Sequence, residues 1–274
     1  MPLRKSPAVV VRALDYGEAD RIVTFVTPDA GRLTGIAKGA KRSRRRFGAA
    51  LELFTLVQLA YFEKPAFEMV RLEGADIVAG FPDLRRDLAR IAHAAYVTEM
   101  AGRAVQPREP AWRAFRLLVE TLGAIDREPP DEARLRAFEL ALLVLLGYRP
   151  ELRCCARCRR PRPASGQFRV SVRAGGLLCR SCAGDPVLTG GAPDADGMVQ
   201  VSGPLLDRLA AVLEAAGEGR DGLPLLTLGA AEAEEARALL PRFLAAHLGA
   251  EARSLGFVER FGREPATVAG EEGG

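Results

Sequence analysis

Four of the five cysteines in this 274-residue chain fall in two close pairs. Cys155-Ala-Arg-Cys158 is followed, 20 residues later, by Cys179-Arg-Ser-Cys182, the spacing of two knuckles that meet on one tetrahedral zinc ion. A Cys-x-x-Cys turn aims two thiolates at one point while backbone N–H groups face the sulfurs, and Gly175-Gly176 offers a tight turn ahead of the second pair. Four protein ligands leave no open position for water, so the expected cofactor is a structural Zn2+ held by Cys155, Cys158, Cys179 and Cys182. Buried or redox cysteines are the bland alternative. Cys154 leaves a choice open, because Cys154 with Cys158 is also within ligand spacing.

The second chemical signal is charge. Net charge is only +4, so a polyanion must be met by local clusters. The bases comprise 35 Arg and 4 Lys and the chain has no Asn, a skew that GC-rich coding produces, so arginine abundance means little by itself. Its distribution means more. Between Asp29 and Glu52 lie 22 residues with no acid and seven bases: Arg32, Lys38, Lys41, Arg42, Arg44, Arg45 and Arg46. Most sit on the connection from Lys38 to Gly48, where flanking glycines predict a mobile basic finger suited to phosphates. Phe47 is its only aromatic, which suggests sequence-tolerant binding to a nucleic-acid backbone; a solvated charged loop is the plainer alternative. From Arg149 to Arg180 there are nine arginines against one acid, Glu151. Even after the −2 of a zinc tetrathiolate, this predicts a phosphate or acidic-peptide contact, unless the arginines only hydrogen-bond thiolates.

Other features carry less. Gly217-Glu-Gly-Arg-Asp-Gly222 matches Gly-x-Gly-x-x-Gly but follows a helical pattern and precedes Leu223-Pro224, the wrong context for a dinucleotide site. Gly31 to Lys41 lacks the Walker spacing, which speaks against an ATPase. His93 and His247 read as core or capping residues and Trp112 as a packing anchor for a helix. No paired-carboxylate motif is present, so the expectation is that the protein is not an enzyme and has no catalytic residues.

The elements that position these residues change character along the chain. From Ala8 to about Val78 the pattern alternates, with strands expected at Ala8–Leu14, Arg21–Thr27, Arg32–Gly39, Leu53–Phe62 and Phe67–Ile77. Turns fall at Asp15-Tyr-Gly17, Pro28-Asp-Ala-Gly31 and Lys64-Pro65. Five short strands without an intervening helix suit a small closed barrel. After Phe81-Pro82 the period lengthens. Leu84, Leu88, Ile91, Ala92 and Ala95 form one helical face and Phe115, Leu118, Val119 and Leu122 another; a third helix starts at the N-cap Asp131 and stops at Gly147, with Phe138–Leu146 as a buried centre. Two more helices are expected, one from near Ser202 and one over about 231–248 that Pro241 kinks or splits. The fold class is therefore α+β: an N-terminal OB-like β-barrel over 1–80, a helical bundle over 81–150 and 191–264, a four-cysteine zinc finger inserted at 151–190, and a disordered tail over 265–274. With no apolar run near 18 residues and no signal-like start, a cytoplasmic protein is expected.

The sequence resembles the bacterial RecO family of DNA repair proteins. The likeness runs through Glu18–Thr27, Gly31-Arg32, Ala37–Arg42, Gly48–Leu59, Ala95–Glu99, Leu146-Gly-Tyr-Arg-Pro150, the four cysteines with Gly175-Gly176, and His247-Leu-Gly249. It spans almost the whole chain; departures are Cys154, Pro241 and a short, arginine-loaded finger. The resemblance implies a recombination mediator, cytoplasmic and nucleoid-associated, that binds single- and double-stranded DNA, anneals complementary strands, and associates with RecR. It also implies engagement of single-stranded DNA-binding protein, which lets the RecA recombinase load. A cationic rim in Arg149–Arg180 and a groove between the helices after Phe81 are the expected seat for the acidic, apolar-tipped tail of that binding protein. The competing classes are a zinc-dependent hydrolase or nuclease, which a closed four-thiolate site opposes, and a zinc-ribbon transcription or nucleic-acid-binding regulator. The latter leaves the barrel and long bundle without a purpose.

Overall fold

The computed structural model describes residues 2–43, 45–63, 67–184, 198–217 and 222–262. Five strands close into a barrel in the order β1-β2-β3-β5-β4: β1 (Leu3–Tyr16), β2 (Asp20–Thr27), β3 (Gly31–Ala37), β4 (Leu56–Phe62) and β5 (Val70–Ala79). Strand β1 is long because it serves both halves of the barrel. Leu3–Val9 pairs with β4 and Val9–Tyr16 with β2, and a register shift between Val10 and Arg12 bends the strand between them. Closure is made by a short parallel pairing of β3 with β5 at Gly35↔Val70. A Cβ at Gly35 would stand 2.9 Å from Val70 Cγ2 and collide with Leu72, so the absence of a side chain lets the two strands meet. The barrel core contains Val10, Val23, Phe25, Leu59, Tyr61 and Leu72.

The helical part begins with a 3-10 turn at Leu84–Arg86, then α1 (Leu88–Ala104), α2 (Trp112–Arg127) and α3 (Glu132–Leu145). Asp87, capping through Ala89 N, breaks the single expected face, so Leu88 is exposed rather than buried. Asp131 caps α3 as expected, accepting from Ala133 N at 2.9 Å. Gly147, at φ 83°, ends that helix with Gly147 N→Val144 O and Tyr148 N→Leu143 O. Phe138, Leu140, Leu142 and Leu143 are buried together with Arg136 and Glu139. The knuckle region is a three-stranded sheet, β7-β6-β8, of β6 (Gln167–Ser171), β7 (Gly176–Leu178) and β8 (Met198–Ser202), with the short α4 (Arg180–Ala183). β8 lies beyond the boundary expected at residue 190. Helices α5 (Gly203–Gly217), α6 (Ala230–Leu248) and α7 (Leu255–Phe261) complete the fold. α6 runs through the buried Pro241 without splitting and ends on Gly249 at φ 80°. Among the described residues no helix is long and apolar enough to cross a membrane. The motif at 217–222 and the tail from 265 lie largely or wholly outside the described residues, as does the Lys64-Pro65 turn.

The barrel and bundle are joined by backbone as well as side chains. Arg32 N donates to Gln106 O, Arg108 N to Ala30 O and Ala111 N to Pro28 O, so the β2–β3 turn and the α1–α2 connection lie against each other. Val9, Val26 and Phe54 of the barrel belong to the same apolar core as α1–α3.

Candidate nucleic-acid interface and metal centre

Several of the described residues in the expected finger are tied back to the barrel. Phe47 is 3% exposed and packs in the barrel core with Ala50 and Leu51, so the loop's only aromatic ring cannot stack on a base. Arg46 folds back, donating to Lys38 O at 2.8 Å and to Ser43 Oγ at 3.2 Å. Lys41 Nζ pairs with Asp15 at 2.9 Å, and that carboxyl is held below its usual range by Lys41 first and Arg21 second. What remains outward are Lys38, Arg42 and Arg45, all exposed. Among the described residues the Arg42 side chain has one ion pair, with the exposed Glu18 at 3.8 Å, a weak partner in water. Arg44 lies outside the described residues. Arg32 is not brought to this cluster: it sits at the opposite end of β3 from Lys38 and donates to Gly102 O of α1 at 3.2 Å. Its place is the seam between barrel and bundle.

The thiols of Cys155, Cys158, Cys179 and Cys182 lie within 4.8 Å of one another, and Cys158 and Cys179 are 3.6 Å apart. A tetrahedral ion with bonds of about 2.3 Å places its sulfurs about 3.8 Å apart, so the four side chains fit such an ion with little movement. Cys154 is outside the cluster; its backbone pairs with Pro161, and burial followed by Glu151 pushes its thiol up. The spacing left Cys154 and Cys155 open, and the fold brings in Cys155. Burial opposes ionisation of Cys155, but the backbone N–H groups of Cys158, Cys179 and Arg157 outweigh it and hold the thiol down at about 6. The backbone N–H of Cys182 lowers Cys179. Cys182, hydrogen-bonded to Cys179 and then penalised by burial, is pushed up to about 12. A zinc ion would bind the four groups as thiolates and release their protons, so its affinity here would rise with pH.

The nine arginines of this region do not act together. Arg153 forms a two-pronged pair with Glu214 of α5 at 2.6 and 2.7 Å, Arg162 pairs with Asp207 of the same helix, and Arg159 pairs with Glu151 at 2.7 Å. Acids distant in sequence thus neutralise part of the charge and fasten the knuckles to α5. Arg160, Arg162, Arg169 and Arg180 line a cleft of about 520 Å3. A separate groove of about 450 Å3 runs between α2 and the end of α3 and shares no lining residue with that cleft. Trp112, expected as a packing anchor, is 51% exposed and stands in this groove with Leu117, Leu142 and Leu145, while the Arg113 guanidinium lies 5.6 Å from its ring. Sequence reasoning missed Trp112 as an accessible ring because only the α1–α2 connection decides which side of the helix start is covered. His93 is a core residue, its Nε2–H donating to Gly262 O at 2.9 Å, and His247 stacks on Tyr148 at 3.5 Å.

Known proteins supply the identity that these features point to. The family description "Recombination protein O N terminal" matches residues 1–81, and "Recombination protein O C terminal" matches residues 85–256. The DNA repair protein RecO of Anaeromyxobacter dehalogenans is 40% identical over 258 residues, covering 94% of this chain and 96% of its own length. Those of Pelobacter propionicus and Geobacter metallireducens are each 37% identical over 260 residues, covering 95% of this chain and 98% of their own. With the barrel and the helical region both matched, and the likeness running nearly end to end, the chain belongs to the RecO family of DNA repair proteins.

Proposed function

We propose that this protein is a recombinational repair mediator without catalytic activity. It binds single- and double-stranded DNA without sequence specificity, anneals complementary strands, and works with RecR to assist recombinase loading onto coated single strands. The observation that carries this reading is the set of outward cations Lys38, Arg42 and Arg45 on a barrel loop whose one aromatic is buried. Cations without stacking rings or base-reading side chains bind phosphates by counterion release, which is indifferent to sequence. Annealing needs that property: two backbones are drawn together while the bases stay free to pair.

Zinc in the four-cysteine cluster is structural in this reading, holding the first knuckle, β7 and α4 together where the small core of Cys155, Leu178 and Ala183 could not. A free-standing zinc-ribbon regulator is disfavoured because Phe168, Val170, Val199 and Val201 of the knuckle sheet are buried in the bundle core. The groove at Trp112 is the seat for the tail of single-stranded DNA-binding protein, with the exposed ring and the half-buried Val144, Leu145 and Leu146 receiving its apolar end and Arg113 its carboxylates. The function is tested by mixing complementary oligonucleotides with the full chain. Duplex forms faster than in its absence, with neither ATP nor strand cleavage required. No acceleration, or cleavage of either strand, would reject the reading.

A further inference from the structure

We propose that the outer face of the knuckle sheet is a second strand-binding site, which takes the phosphodiester backbone of one nucleic-acid strand while the barrel loop holds another. The inference rests on the DNA-binding reading above but concerns a different surface. Its cations are Arg160 from the first knuckle, Arg169 from β6 and Arg180 from the start of α4, all exposed and converging on one cleft. None of the three guanidinium groups has an ion-pair or hydrogen-bond partner among the described residues, unlike those of Arg153, Arg159 and Arg162 close by. No acid lines the cleft among the described residues.

The sheet register sets the central part of this face, and Arg160 and Arg180 flank it in the same cleft. Arg169 is paired with Gln200 across β6–β8, about 5 Å apart as ladder partners are, and Gln167 lies two residues along the same side of β6. Phe168 and Val170, on either side of Arg169, turn into the core. The outer side therefore presents guanidinium and amide N–H donors, a set suited to phosphate oxygens. Holding a four-thiolate ion in check does not account for the arginines, because three full positive charges exceed the −2 of a tetrathiolate around a divalent ion. An acidic peptide with an apolar end is a poorer match. The apolar residues beneath the cleft, Leu177, Leu178 and Phe168, are 2%, 3% and 9% exposed and offer no socket for such an end. Two separate cationic surfaces on one chain let a bound strand capture its complement at a high effective concentration.

The test compares the full-length protein with R160A/R169A/R180A and with the charge-preserving R160K/R169K/R180K. Binding of one labelled poly-dT oligonucleotide is measured first, then binding of a second, differently labelled poly-dT strand to the loaded protein, and finally the annealing rate of complementary strands. Metal content and thermal melting check that the fold is intact. The alanine variant is expected to bind the first strand within about twofold of wild type and to lose about tenfold or more in second-strand affinity and annealing rate. The salt slope of the second event is expected to fall by about two units, as three lost contacts to a single strand require. The lysine variant recovers most of the loss. Second-strand binding and annealing unchanged in a folded alanine variant would overturn the inference, as would an effect confined to binding of an acidic tail peptide. Wild type that binds no strand would instead overturn the DNA-binding reading itself.

Discussion

Replacing Gly31 by alanine should loosen the joint between barrel and bundle, and the structure sets the size of the effect. Gly31 has φ +60°, a region that costs an L-residue about 1–2 kcal/mol. In addition, an added Cβ would drive into the carbonyl oxygens of Gln106 and Glu109, which are backbone atoms and cannot swing aside. Relief requires the α1–α2 connection to withdraw, which gives up Arg32 N→Gln106 O and strains Arg108 N→Ala30 O and Ala111 N→Pro28 O. At about 1 kcal/mol net for each hydrogen bond lost, the total is about 2–5 kcal/mol, depending on how many of the three are broken. Gly17 is the control: its φ is +59°, but nothing lies within 4 Å of its would-be Cβ, so G17A should cost only the conformational part. Urea unfolding followed by near-UV circular dichroism, and separately by Trp112 fluorescence, should show G31A lower in midpoint than G17A, with the two probes no longer coincident. Equal midpoints for the two variants would refute the steric account of the seam.

Cys155→Ser or Cys179→Ser should reduce bound zinc from about one ion per chain to near none and lower the melting temperature, while Cys154→Ser keeps its metal; equal zinc in all three would remove the assignment. Glu139 is buried beside Arg136 at 3.1 Å and under the Tyr96 hydroxyl, and burial outweighs both neighbours to lift its carboxyl from 4.5 to about 7. Because the folded value is raised, its contribution to stability is fully present below about pH 4.5 and is lost as pH rises through about 7. E139Q should therefore remove the decline in melting temperature between those values, and a wild-type-like pH profile in E139Q would contradict it. Trp112→Ala should weaken binding of an acidic, apolar-ended tail peptide about tenfold or more in a fluorescence titration, and unchanged affinity would move the tail elsewhere.

Local signals in the sequence were enough for much of this fold. The alternation of β1–β5, the turn at Gly31, the Asp131 cap and the Gly147 stop are each decided by a few neighbouring residues, and the structure has all of them. The cysteine spacing likewise reduced the cluster to a choice between Cys154 and Cys155, which the fold resolves. What could not be read depends on partners far along the chain. β7 is three residues long and exists because Arg169 and its neighbours pair with it, and β8 joins the sheet from beyond residue 197. The charge of Arg153 and Arg162 vanishes into acids of α5, and Arg32 is drawn to a carbonyl of α1 70 residues away. Phe47 shows the same limit: a ring in a basic loop could stack on a base or plug a barrel, and only the closed barrel decides for the plug.

Lys38, Arg42 and Arg45 are the proposed phosphate contacts of the barrel, and strand affinity as a function of salt measures them most directly. For wild type and K38A/R42A/R45A, the dissociation constant of a labelled single strand is determined across a range of salt concentrations, with several unrelated base sequences. Three lost contacts to a single strand should lower the magnitude of the slope of log K against log[salt] by about two units, equally for every sequence. Lys41→Ala, already paired with Asp15, should change the slope by much less. A folded triple variant with the wild-type slope, or losses that depend on base sequence, would contradict the claim.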